Sequence, residues 1–227
     1  MRPAWLCLAL VGLVGCPKGG GRSSLTAMDY AKPASTIDYD RHTVAGPFPL
    51  PVLQHREEWQ APIVQGEKTF YDVETYDTTD GGHDWMETVR VFYGPSGYGF
   101  AGTLDEDGDL EVWEPAQVVL PARPRVGDTW TQTHTKGTRS SERTCEIMVA
   151  EHCAGGIVSV CESKRTLGVV VLRDHFCPAQ GWVGFEALQS VGNQPPLRMW
   201  SETIARDGIA IPGIPVQDED EDDVDVE

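Results

Sequence analysis

A chain of 227 residues, 40% hydrophobic and 23% charged, can bury one ordinary core and leaves little for a second compact domain. Its formal net charge of −17 argues against nucleic acid as a partner, because phosphates require clustered Lys and Arg, and against electrostatic adhesion to anionic headgroups. Eight of the acidic residues fall between Asp218 and Glu227, so the body remains acidic without its tail.

The chain opens with one positive residue, Arg2, followed by about a dozen apolar or small residues, the order of a secretory signal. That run is too short to span a bilayer, which needs roughly 20 residues. It ends in Leu13-Val14-Gly15-Cys16, which resembles the lipobox of bacterial lipoproteins. The resemblance implies that residues 1–15, with Cys7, are a signal peptide removed on export. It also implies that Cys16 becomes the first residue of the mature chain and carries acyl chains such as palmitate. Two or three such chains hold a protein to a membrane, where one does so only marginally. Pro17 follows the lipidated position where the sorting rule of that family places Asp to retain proteins at the inner membrane. The implied location is the cell envelope, at the outer membrane.

Residues 16–24 comprise Cys16 and a glycine- and serine-rich tether with nothing to bury. Residues 25–66 are an irregular, proline-rich extended segment, with Pro33, Pro47, Pro49, Pro51 and Pro62, in which Pro47-Phe48-Pro49-Leu50-Pro51 is expected to lie extended over the body, a disordered stalk being the alternative. From residue 67 to 212 the pattern is that of a β domain. Runs at Phe70–Tyr76, Trp85–Tyr93, Tyr98–Leu104 and Leu110–Glu114 are separated by Asp80-Gly81-Gly82, Gly94-Pro95-Ser96-Gly97 and Asp105-Glu106-Asp107-Gly108. Further runs follow at Thr129–His134, Arg143–Glu151, Ile157–Lys164, Thr166–Phe176, Gly181–Ser190 and Leu197–Arg206. With almost no helical periodicity, the fold class is all-β: an antiparallel sheet of about ten strands in a half-barrel, barrel or sandwich. Residues 213–227 form an acidic tail that repels itself and should be disordered.

Four cysteines remain beyond Cys16, and an even number in an exported chain points to two disulfides. Cys145 and Cys153 bracket one strand and would lie well over about 15 Å apart, whereas a disulfide needs Cα atoms within about 7 Å. A hairpin turning near Cys153–Gly156 brings Cys145 to Cys161, and the next brings Cys177 back beside Cys153. The expected pairs are Cys145–Cys161 and Cys153–Cys177. A zinc site is the sharper alternative, since His152 adjoins Cys153 and His175 lies two residues before Cys177. The spacing matches no familiar zinc motif and export favours oxidation, so neither metal nor cofactor is expected.

No catalytic constellation stands out, and the protein reads as a non-enzyme. The carboxylates from Asp105 to Glu111 invite calcium, but Leu110 stands where an EF-hand loop needs glycine, which leaves a hairpin tip. Ser96 has Tyr98 where a nucleophile elbow closes with glycine, and His83-Asp84 reads as an exposed loop pair. The tryptophans of the mature chain either pack a core or line an apolar cavity, with Trp113, Trp130 and Trp182 as candidate lining residues. Val126-Gly127-Asp128-Thr129-Trp130, with the later Cys177-Pro178-Ala179-Gln180-Gly181-Trp182-Val183-Gly184, is similar to a pattern of exported bacterial β half-barrel proteins, with Ala179 in place of a glycine. Some similar half-barrels carry lipids between membranes. The expected function is therefore that of a lipid-anchored structural or interaction module with an envelope protein partner. A carrier or sensor of an apolar, lipid-like ligand is the alternative, and a hydrolase or metal protein comes last.

Overall fold

The structure, a computed structural model, describes residues 25–32, 37–45, 48–105, 107–136, 139–165, 168–190 and 197–205. The expected signal, lipobox and tether at residues 1–24 and the expected acidic tail at residues 213–227 lie outside the described residues, as does Glu106. Among the described residues, fourteen strands form a single antiparallel sheet. They are β1 (Ile37–Ala45), β2 (Phe48–Pro49), β3 (Leu53–Trp59), β4 (Ile63–Gln65), β5 (Lys68–Asp77), β6 (Asp84–Gly94), β7 (Gly97–Leu104) and β8 (Leu110–Leu120). After them come β9 (Thr129–Lys136), β10 (Arg139–Val149), β11 (Ile157–Arg165), β12 (Gly168–Cys177), β13 (Gly181–Ser190) and β14 (Leu197–Ala205).

From β5 to β14 each strand pairs with its predecessor, β5 turns back to β3, and β3 pairs with β1. Strand β1 then meets β14, with Asp40 opposite Ala205 and Ala45 opposite Trp200. The sheet is thereby bent into a nearly closed barrel, which removes the free edges of an open sheet. Its weakest join lies between β8 and β9, where Glu114 and Thr135 are the paired residues. There the Gln132 side chain stands in for a strand: the Val118 N–H donates to its Oε1 at 2.8 Å, and its Nε2 donates to the Val118 carbonyl at 2.6 Å. Strands β7 and β8 approach so closely that a Cβ at Gly99 would lie 1.7 Å from the Gln117 carbonyl oxygen, and only glycine fits.

The sheet begins well before residue 67. The proline-rich segment is not a separate wrapping but contributes β1 to β4, and β1 supplies the closure. Prolines mark the breaks between these strands, as Pro62 does between β3 and β4, and Pro49 occupies the short strand β2. The sheet runs from Ile37 to Ala205, so a boundary at residue 67 would cut it.

Below the sheet sits the helix α1 (Ala27–Ala31). Five residues are too few to stay helical alone. Thr26 and Asp29 cap it reciprocally, and this holds the Asp29 carboxyl below its ordinary pKa through the hydrogen bonds from Thr26. Packing supplies the rest: Ala27, Tyr30 and Ala31 are buried in the core with Val73, Val91, Tyr98, Leu120, Ile147 and Phe176. The Ala27 N–H donates to the Ala122 carbonyl and the Ala179 N–H to the Asp29 carbonyl, at 3.0 and 3.1 Å. The helix thus plugs one end of the barrel.

Outward positions carry charge along several strands, among them the exposed Asp38–Arg56 ion pair and Glu142, Glu146 and Glu162. Such a face meets water, whereas a membrane-spanning barrel presents an apolar band. No helix among the described residues is long and apolar enough to cross a membrane.

Candidate functional site

Inside the barrel, above α1, lies a cavity of about 210 Å³. Alternation along the strands decides its walls, because side chains on one face of each strand point inward. Trp59 of β3, Val73 of β5, Val89 and Val91 of β6, Phe100 of β7 and Trp182 of β13 make it apolar, and Ala31 of α1 closes its floor. Arg41 of β1, Glu57 of β3, Thr75 of β5 and Glu87 of β6 add a polar side. The Trp59 indole N–H donates to Glu57 Oε1, which fixes the ring against the wall. The arrangement offers flat aromatic surface to an apolar body, and charged and hydroxyl groups to a polar end.

A buried polar group extends from this cavity. Asp174 of β12 accepts a hydrogen bond from the Trp182 indole N–H at 3.2 Å. Burial pushes its carboxyl up to about 6, although the Trp182 bond and the charges of Arg143 and His175 pull the other way. Arg143 of β10 is buried as well, and burial lowers its pKa. Its Nη2 reaches the Val118 carbonyl at 3.5 Å. The Tyr98 hydroxyl is raised, first by burial and then by the carboxylates of Glu57 and Asp174. Asp174 is therefore a group whose proton is held or lost near neutral pH in a dry wall.

Of the three tryptophans singled out by the sequence, the structure brings only Trp182 to the cavity. Trp130 packs against the core, and Trp113 lines a separate groove of about 310 Å³ on the outside of the barrel, with Ile63, Phe70, Val112 and Pro115. Trp59, Arg41, Glu57 and Glu87 escaped sequence reasoning. Trp59, Arg41 and Glu57 lie on β1 and β3, which lack apolar alternation because their inward positions are largely polar, and Glu87 is a lone acidic residue among the apolar inward positions of β6.

Both expected disulfides are present. Cys145 and Cys161 face each other across β10 and β11 with Cα atoms 4.0 Å apart, and Cys153 and Cys177 join the loop after β10 to the end of β12 at 6.1 Å. Disulfides of this kind belong to chains folded outside the cytoplasm. Beside the second bridge stand His152 and His175, whose ring centroids are 5.2 Å apart. Burial, and then the neighbouring His175, lowers the His152 pKa. Cys16 lies outside the described residues.

The remaining motifs resolve into turns. Asp105 Oδ1 accepts the N–H groups of Asp107 and Asp109 at 3.1 and 2.8 Å, so its carboxylate serves its own loop. Ser96 is exposed in the two-residue turn between β6 and β7. His83 is exposed and stacks on Tyr76 at 4.1 Å.

In comparisons with known proteins, no family model, curated protein or solved structure matched the chain.

Proposed function

We propose that the protein is an exported, lipid-anchored barrel of the cell envelope that holds a small amphipathic molecule within its sheet, as a carrier or sensor. The observation that carries this reading is the interior cavity, apolar on one side and polar on the other. A cavity of about 150 Å³ accommodates benzene, so one of about 210 Å³ takes a ligand of roughly eight heavy atoms. A diacyl lipid is far larger. Two carboxylates against one guanidinium in the lining favour a ligand whose polar end is neutral or positively charged. The anchor rests on the lipobox at Cys16, and the outer-membrane placement on Pro17 after it.

A native mass spectrum of the chain extracted from the envelope tests this. An adduct of small mass should be present, and should be lost when Val89→Phe fills the cavity. An adduct unchanged by that substitution would overturn the assignment. A second reading, an interaction module for another envelope protein, is favoured by the outer groove that Trp113 borders, whose lining includes the exposed Ile63 and Val112. Its signature would be a co-purifying protein released by Trp113→Ala and retained by Val89→Phe.

A further inference from the structure

The second disulfide sits in surroundings that a purely structural bridge does not require. The sulfurs of Cys153 and Cys177 and a ring nitrogen of His152 all lie within 4.8 Å of one another. His175, on the same outward face of β12 as Cys177, packs its ring against that of His152. It is only 7% exposed, and neither of its ring nitrogens has a hydrogen-bond partner among the described residues; Nε2 faces the Glu186 carboxylate at 3.6 Å. His152 Nε2 is likewise buried and unbonded. Leaving such nitrogens buried without a hydrogen bond is costly. The loop that carries His152 and Cys153 is closed on itself by its backbone, with the Gly156 N–H donating to the Cys153 carbonyl and the Ala150 N–H to the Gly156 carbonyl, each at 3.1 Å. The bridge between Cys145 and Cys161 differs: both cysteines are buried in the interior, at 1% and 2% exposure, and belong to no comparable cluster of metal-binding side chains among the described residues.

We propose that Cys153, Cys177, His152 and His175 form a redox-switched site for zinc, closed while the disulfide is intact and opened when it is reduced. Two thiolates and two neutral imidazoles are a ligand set that zinc takes in tetrahedral geometry. A disulfide offers no thiolate, so the oxidised chain leaves both histidines unsatisfied. Reduction by a dithiol breaks the S–S bond and delivers two electrons and two protons, leaving Cys153 and Cys177 as thiols while the donor becomes a disulfide. Zinc then displaces both thiol protons and forms two Zn–S bonds, releasing two protons. Cys153 is the half-exposed partner and Cys177 the buried one, so exchange begins at Cys153. Glu186, beside His175, is placed to accept that ring's second N–H and so orient it, as carboxylates do behind zinc-bound histidines.

The test uses the full chain, oxidised or treated with a phosphine reductant, desalted and titrated with Zn²⁺ or with Co²⁺ as a coloured substitute. The reduced chain should take up one equivalent, with a thiolate-to-cobalt charge-transfer band and the visible bands of tetrahedral cobalt, and the oxidised chain none. His152→Ala and His175→Ala should each weaken zinc binding at least about tenfold, and Cys145→Val with Cys161→Val should leave it intact. Metal bound by the oxidised chain, or uptake indifferent to both histidines, would overturn the proposal. So would loss of the cobalt spectrum in the Cys145/Cys161 variant. Should reduction unfold the chain, zinc must restore its β-sheet circular dichroism, since such sites fold with their metal. Failure to do so would equally refute it.

Discussion

Replacing Asp174 by Asn tests whether the barrel interior is as dry as its packing makes it. The carboxyl is pushed up to about 6 from 3.8 by burial, so the folded state holds its proton more tightly than the unfolded chain does. Between about pH 4 and 6 the folded state therefore binds more protons, and stability falls as the pH rises. This contribution is fully present below pH 3.8 and lost as the pH passes through about 6. A change of that size corresponds to about 3 kcal/mol. Asn has the same shape, keeps an oxygen to accept the Trp182 N–H, and cannot ionise. Urea unfolding followed by tryptophan fluorescence, with the disulfides intact, gives the free energy of each protein across pH 4 to 7.5. Relative to the wild type, Asp174→Asn should gain about 3 kcal/mol over that range. The attraction of the Arg143 guanidinium already opposes the upward shift, so it does not change the sign. Parallel curves for the two proteins would refute the reasoning, because they would mean that Asp174 is hydrated and ionises normally.

Three further outcomes follow from the fold and the anchor. Ala179 holds φ 65° in the turn from Cys177 to Gln180, a conformation that costs an L-residue about 1 kcal/mol, so Ala179→Gly should raise the melting temperature by about 1–3 °C after its own entropy cost. Gln132→Ala removes the acceptor of the Val118 N–H and the nearer donor to its carbonyl, and should cost about 2 kcal/mol in urea unfolding and speed hydrogen exchange at the Val118 amide. Cys16→Ser should abolish lipid labelling and release the chain from membranes on fractionation; retention without a bound partner would contradict the lipobox reading.

The strands from β5 to β14 were legible because apolar and β-branched residues alternate along them and Gly, Pro and Asp mark the turns. Both disulfides followed from hairpin geometry alone. What stayed hidden was β1 and β3, and the reason is physical. Tyr39, Arg41, His55 and Glu57 point inward, so neither strand shows an apolar face, and the nearby prolines read as breakers. An inward polar face makes sense only beside a cavity, which closure of the sheet creates. The same cause concealed the cavity's own residues: Trp59 lay in a proline-rich segment without a strand pattern, while Trp113 and Trp130 looked equivalent to Trp182, although Trp113 packs on His134 and Trp130 on the core away from the cavity. The helix α1 went unread because five residues show no helical periodicity.

The interior site is tested most directly by the indole N–H signals of Trp59 and Trp182 in a ¹⁵N-labelled chain titrated with benzylamine, with benzoate as the oppositely charged control. At roughly 0.7 kcal/mol per heavy atom, a ligand of about eight atoms should bind with a dissociation constant on the order of 0.1 mM. Both indole signals should then shift in a saturable manner with the amine and much less with benzoate, while Trp113 stays still, and Val89→Phe should abolish the response. Shifts at Trp113 alone, or none at Trp59 and Trp182 for either compound, would contradict a ligand site inside the barrel.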